Sequence, residues 1–243
     1  MSYTLFISDL HLDPARPEHL DALKKLLEKH AGKAGALYVL GDLFEAWIGD
    51  DDDTPFNLDA IAAFRQFSDS GSKLYFMHGN RDFMLGNDFA AACGGSLLNE
   101  GTVVDLYGTD AILMHGDSLC TLDTAYQQFR TMARNPQWQQ GMLAKPLEER
   151  RMIAQGMRMQ SQGNNANKAE NIMDVTPEEV VREMQEAGVK HLIHGHTHRP
   201  DVHDVALPDG TGKRWVLGDW GKLGWQIIAD SEEGLKLESF EIN

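Results

Sequence analysis

Cysteine is nearly absent from this chain: Cys93 and Cys120 are the two present. Their separation matches neither a thiolate metal site nor a redox pair, which leaves two reduced thiols without a chemical role. Basic residues are scarce as well. Twenty-two Lys and Arg stand against 37 Asp and Glu, a net charge of −15. That balance argues against a nucleic-acid binder, whose footprint is basic. It also argues against general adhesion to anionic membranes, unless a local basic patch overrides the average. No uncharged apolar run approaches the roughly 18 residues of a membrane-spanning helix. Residues 1–7 lack the basic lead and the length of a signal peptide. Repeats, linkers and low-complexity segments are missing too. The expectation is a soluble cytoplasmic protein made of one α/β domain over 1–243, long enough to bury a sizeable core.

What the chain does have is polar clusters placed where short apolar runs stop. Residues 37–40, Leu-Tyr-Val-Leu, read as a buried strand that ends at Gly41-Asp42. In open α/β sheets ligands sit beyond the carboxyl ends of strands, which puts Asp42 in a site. Taken alone, Gly-Asp is more often a helix cap or a turn. The strand over 3–8 is followed by Asp9 and His11. In an extended segment residues i and i+2 share a face, so these two reach one point; the alternative is a loop aspartate beside a surface histidine.

The strand over 73–77 leads into His78-Gly79-Asn80-Arg81-Asp82. An asparagine carbonyl suits a hard divalent ion, and the planar, permanently charged Arg81 suits phosphate oxygens. The competing reading is an asparagine turn with a surface Arg81–Asp82 pair. Residues 110–114 end in His115-Gly116-Asp117, and 191–194 end in Gly195-His196-Thr197-His198. That last element is the most specific motif in the chain.

Between the strands the periodicity turns helical. Leu20, Leu23, Leu26, Leu27 and His30 recur on one face, as do Leu58, Ile61, Ala62 and Phe64. The acidic run Asp50 to Asp53 does not have calcium-loop spacing and reads as a solvated loop entering a helix near Pro55. Thr176-Pro177-Glu178-Glu179 is a helix start with N-cap, proline at N1 and glutamate at N3. Residues 122–173 form a helical stretch of different character, an inserted cap. It holds six of the eleven methionines, and between 126 and 168 seven basic residues face two acidic ones, a net of +5 in an acidic chain. A methionine-rich, basic insertion suits a lid over an apolar, anionic ligand, and it equally suits an ordinary helical hairpin.

Seven candidate ligands emerge from five strand ends: Asp9, His11, Asp42, Asn80, His115, His196 and His198. One ion cannot take seven protein ligands and stay catalytic. Two ions sharing Asp42 would have about four each, with positions left for water and substrate. Oxygen and imidazole donors without thiolate favour Mn2+, ahead of iron or zinc.

The order of these five motifs resembles the calcineurin-like metallophosphoesterases over nearly the whole chain. The resemblance implies a two-sheet sandwich flanked by helices. It also implies Asp9, His11, Asp42 and His198 around one ion, and Asp42, Asn80, His115 and His196 around the other. Many members carry histidine where Arg81 stands, so here a fixed cation replaces a histidine general acid. The segment 41–50, Gly79-Asn80-Arg81-Asp82-Phe83 and the insertion look like one branch, which cleaves the pyrophosphate of UDP-2,3-diacylglucosamine in lipid A synthesis. For that branch the implied reaction is attack of a metal-bound hydroxide on the α-phosphorus, giving UMP and 2,3-diacylglucosamine 1-phosphate. Asn80, Arg81 and His196 would face the reacting phosphate, and Asp123, Ser161, Asn165 and Lys168 would help hold the lipid phosphosugar. Ser161, Asn165 and Lys168 have the spacing of one helix face, weakened by Gly163 and Asn164. Peripheral contact with the cytoplasmic face of the inner membrane follows from such a substrate, with no nucleic-acid partner. The rival readings are a soluble dinucleoside-polyphosphate or other phosphodiester hydrolase on the same two-metal core, and a non-catalytic scaffold.

Overall fold

The computed structural model describes residues 2–165 and 174–242, with backbone alone over 160–165. Its first sheet has four parallel strands: β1 (Tyr3–Ile7), β2 (Ala34–Leu40), β3 (Lys73–Met77) and β4 (Ser96–Leu98). Two antiparallel strands, β10 (Leu223–Asp230) and β11 (Gly234–Glu241), extend it beyond β1, giving the order β11-β10-β1-β2-β3-β4. The crossovers between the parallel strands are α1 (Pro17–His30), α2 (Pro55–Asp69) and α3 (Asn87–Ala92).

Strand alternation sorts the core into two faces. Leu5 and Ile7, Leu37 and Val39, Leu74 and Phe76 point to the helical side and pack with Leu23, Leu27, Phe64 and Phe67. Phe6, Leu40 and Met77 point the other way and meet Leu113, Ile193 and Trp215 of a second sheet. That sheet runs β5 (Thr102–Asp105), β6 (Asp110–Leu113), β7 (His191–His194), β9 (Gly210–Val216), β8 (Asp201–Leu207) in order. Its outer face, with Ile112 and Leu192, is covered by Val180 and Met184 of α7 (Pro177–Ala187). The architecture is therefore a two-sheet α/β sandwich with helices on both outer faces.

A 3-10 turn, Asp117–Leu119, leads from β6 into α4 (Thr124–Ala133), α5 (Pro136–Leu143) and α6 (Leu147–Asn165). Of these, α4 buries only Ala133 fully and α5 buries none of its residues fully; Trp138 and Met142 lean on the first core with one side and line a cavity with the other.

Two local expectations change. The Asp50–Asp53 loop enters a helix at Pro55 and exposes Asp51 and Asp53, but three of its carboxylates are also engaged. Asp50 accepts from Trp47 Nε1 at 3.0 Å and from Gly86 N and Phe89 N at 2.9 Å each, holding the start of α3. Asp51 pairs with Arg150, and Asp52 accepts from Arg151 Nη2 at 2.5 Å, so the run supplies counter-charge for α6. At the start of α7, Thr176 stands at the N-cap but its hydroxyl makes no cap bond; it pairs with Thr121 Oγ1 at 2.7 Å.

Candidate active site

All five polar clusters lie at the carboxyl ends of parallel strands: Asp9 and His11 after β1, Asp42 after β2, Asn80 after β3, His115 after β6, and His196 and His198 after β7. The chain turns sharply there. Six non-glycine residues among those described have left-handed backbone, and five are Asp9 (φ 55°), His11 (48°), Asp42 (51°), His196 (66°) and His198 (57°). Each such conformation costs on the order of 1 kcal/mol or more for a residue with a Cβ, and strain of this kind concentrates at functional sites.

The side chains converge. Donor atoms of Asp9, His11 and His198 lie within 4.8 Å of one another, and so do those of Asp9, Asp42 and His115. Asp42 directs one oxygen to each side: Oδ2 is 3.8 Å from His11 Nε2, and Oδ1 is 3.7 Å from His115 Nε2. Asn80 Oδ1 lies 3.1 Å from His115 Nε2 and 2.8 Å from His196 Nδ1. His11 Nε2 and His198 Nε2 face each other at 3.3 Å. Asp9, Asp42 and His115 are essentially out of contact with solvent, whereas the His198 side chain is 40% exposed.

Second contacts fix which atoms face inward. His115 Nδ1 is 2.8 Å from the Leu40 carbonyl. A carbonyl only accepts, so Nδ1 carries a proton and Nε2 is the nitrogen that faces Asn80 Oδ1 and Asp42 Oδ1. Those oxygens call for positive charge at Nε2, whether a proton or a metal ion. Burial alone would lower the His115 pKa, yet the carboxylates of Asp42, Asp117 and Asp9 raise it to about 9. His198 behaves alike: burial opposes the charge, Asp9 overcomes it, and the pKa rises to about 9. His196, buried beside His115, is pushed down to about 4. The site is built to attract positive charge, and its oxygen and imidazole donors fit a divalent metal. Asp9 is held in turn by Ser8 Oγ at 2.5 Å and by His196 N at 2.9 Å.

The cluster forms the floor of a cavity of about 590 Å³. Arg81 lies on its wall, 22% exposed, with its backbone N–H donating to Asp42 Oδ1 at 2.8 Å and its buried Nε lacking a partner. The roof includes Phe129, Trp138, Met142 and Met157 from α4, α5 and α6.

The family description calcineurin-like phosphoesterase matches residues 3–200. The chain belongs to that family. Among curated relatives of this phosphoesterase is a protein of Cellvibrio japonicus named UDP-2,3-diacylglucosamine hydrolase. The two are 52% identical, over 98% of this chain and 99% of the relative. Proteins with the same name from Marinobacter nauticus (50% identical, 96% of each chain) and Chromohalobacter salexigens (50% identical, 98% of this chain and 97% of the relative) are similar over the same length. Family and donor set together support a metal cofactor.

The structure treats the remaining candidates of this phosphoesterase unevenly. Asp123 is buried at the cavity edge, where it caps α4 by accepting from Tyr126 N at 3.1 Å. Lys168 lies outside the described residues, and the side chains of Ser161 and Asn165 lie outside them too.

Several residues at the site were not singled out from the sequence. Asp82, fully buried, accepts from Gly79 N and Leu43 N at 2.7 Å each and from Asp42 N at 3.3 Å. It braces two ligand loops against each other and is no surface partner of Arg81. Asp117 receives Tyr126 Oη and, at 3.0 Å, Arg130 Nε, anchoring α4 beside His115. Glu45 touches His11 and Arg158. The only signal for these residues was a carboxylate one to three positions from a motif.

Proposed function

We propose that this phosphoesterase hydrolyses the pyrophosphate bond of UDP-2,3-diacylglucosamine, giving UMP and 2,3-diacylglucosamine 1-phosphate. The observation that carries the reading is a polar donor cluster opening into an apolar-roofed cavity, in a chain whose full-length relatives bear the name of that substrate. A nucleotide diphosphate needs the floor, and two acyl chains need the roof.

Asp9, His11, Asp42 and His198 would hold one ion, and Asp42, Asn80, His115 and His196 the other; Mn2+ is the ion we assign to both. What the bound ions supply is Lewis acidity and a water made acidic enough to attack at neutral pH. The chain's own residues do the rest. Arg81 offers a fixed guanidinium to the charge that gathers on the phosphoryl oxygens. Asn80 and His196 flank the same phosphate. His115, with its Nδ1 proton committed to Leu40, contributes a donor atom and not a proton. No nucleophilic serine or cysteine is needed; the Cys120 thiol at the cavity is buried and pushed up to about 12.

We read 1–243 as a single domain in which 122–173 is an inserted cap. Asp123, Ser161, Asn165 and Lys168 belong to the sugar and phosphate end of the substrate. Met152 and Met159, 65% and 67% exposed on α6, supply an apolar contact for the inner-membrane surface from which a lipid substrate must enter. No helix among the described residues is long and apolar enough to cross a membrane, and the contact we propose is a peripheral one. The test is Mn2+-dependent release of UMP from the diacylated UDP-sugar, with Asp42→Ala as control. Equal turnover of a de-acylated UDP-sugar would shift the reading to a soluble-nucleotide hydrolase.

A further inference from the structure

We propose that Glu45 is a positioning residue that couples the seating of α6 to the metal affinity of the site formed by Asp9, His11, Asp42 and His198. This rests on reading those four residues as one metal site. Glu45 lies in the segment between β2 and α2, three residues beyond Asp42, and its side chain is 11% exposed. Its backbone is pinned: Glu45 N donates to Leu12 O at 3.1 Å, and Phe44 bridges to Leu12, so the loops after β1 and β2 run side by side.

The two carboxylate oxygens have different neighbours. Oε2 is 3.1 Å from His11 Nδ1 and 3.5 Å from Arg16 Nη2. Oε1 is 3.0 Å from Arg158 Nε and 4.0 Å from Arg81 Nη1. His11 thus has its Nδ1 edge against Glu45 and its Nε2 edge toward Asp42 and His198. An imidazole can bind a cation through Nε2 only when the proton resides on Nδ1, and a carboxylate beside Nδ1 enforces that tautomer. The approach is oblique, at hydrogen-bond distance without a squarely aimed N–H. The orientation of the carboxylate therefore matters, and Arg158 sets it from the opposite side.

Arg158 belongs to α6 and also reaches Asp13 at 3.3 Å, in the loop that follows His11. Seven residues earlier on the same helix Arg151 holds Asp52, and beside it the nearly buried Arg150 holds Asp51 and the Ile48 carbonyl at 2.7 Å. Gly49 leaves room for that contact, since a Cβ there would meet Arg150 Nη1 at 2.3 Å. α6 is fastened near its start to the loop that carries Glu45, and about two turns later to Glu45 itself. Lifting the helix removes the guanidinium that aims the carboxylate at His11.

The experiment measures Mn2+ affinity directly, by electron paramagnetic resonance titration of the full chain without substrate. The variants are E45A, E45D, R158A and E45A/R158A, each checked for folding by its Tm in EDTA. E45A should weaken one of the Mn2+ binding steps by roughly 10–100-fold, and E45D should recover part of the loss. R158A should lose less than E45A. The double variant should lose no more than E45A alone, because Arg158 acts through Glu45. Wild-type affinity in a folded E45A overturns the proposal, and so do losses that multiply in the double variant. A wild-type protein that takes up no Mn2+ overturns the metal reading beneath it.

Discussion

His115 Nδ1 lies 2.8 Å from the carbonyl oxygen of Leu40, the last residue of the strand that delivers Asp42. The two sheets meet at that contact. β2 belongs to the first and the β6 end to the second, so the imidazole of one is registered against the backbone of the other. The distances from His115 Nε2 to Asp42 Oδ1 (3.7 Å) and Asn80 Oδ1 (3.1 Å) follow from how the sandwich closes.

Gly41 is the residue that lets this registration happen. Its φ is +91°, and a Cβ there would meet His115 Nδ1 at 2.5 Å and the Gly79 backbone at 2.7 Å. Neither neighbour can yield without moving a strand end. Gly41→Ala should therefore displace His115 and the Asn80 loop together. We expect activity to drop by about two orders of magnitude or more, the scale at which misplacement by 1 Å is felt. Metal content after dialysis should fall below that of the wild type. Full metal content with full activity would show that the interface tolerates the shift.

Asp82 holds the same region from below. Its carboxylate accepts three backbone N–H groups, from Gly79, Leu43 and Asp42, in a place without solvent. Asp82→Ala leaves those donors unpaired, each costing about 1–3 kcal/mol. The expected loss is about 3 kcal/mol or more of unfolding free energy, read by urea titration in EDTA so that metal does not mask it. Asp82→Asn keeps the shape and presents a donor where an acceptor is needed, and it should fall between the two.

The five strand ends were legible because an apolar run stopping at a carboxylate or histidine is a pattern local to a few residues. Strand alternation is nonetheless not what brings Asp9 and His11 together. Two residues apart on an extended strand they would share a face, but both are left-handed, with φ of 55° and 48°. They converge because the chain turns beneath them, and the same holds for His196 and His198. What stayed illegible was everything whose partner is remote. Asp51 meets Arg150 and Asp52 meets Arg151 across 99 residues, so the acidic run looked solvated until α6 was in place. A surface pair of Asp82 with Arg81 stayed an open alternative because nothing local shows that three amides point at Asp82.

Away from the site, His30 sets a pH dependence of stability. Burial, followed by the nearby charges of Lys29 and Lys33, lowers its pKa to about 4. Its Nδ1 is 2.7 Å from Tyr3 Oη, and its Nε2 is buried without a partner to stabilise a second proton. Above pH 6.5 the ring is neutral in both folded and unfolded chains and has no effect. As pH falls below 6.5, the unfolded chain takes up a proton that folded His30 refuses, so stability is lost down to about pH 4. His194, buried and lowered to about 3, acts in the same direction. Urea titrations of metal-free protein at pH 7, 6 and 5 should show this decline. His30→Phe should flatten it in part, and an unchanged slope would remove His30 from the account.

The methionines of α6 divide into two jobs that one experiment separates. Met152 and Met159 are seven residues apart, hence on one helix face, and are 65% and 67% exposed. Met157 lies off that stripe and lines the cavity. A glutamate at 157 puts a charge where acyl chains must pack. Met157→Glu should therefore cut kcat/KM for the diacylated substrate by at least 10-fold while sparing a small soluble phosphodiester. Glutamates at 152 and 159 leave the cavity alone and charge the outer face. The double variant should keep its rate on detergent-dispersed substrate but lose sedimentation with vesicles containing anionic lipid, and activity on substrate embedded in them. Equal losses on the soluble phosphodiester would mean that α6 serves the metal centre only. Unaltered vesicle binding would place the membrane contact on another face.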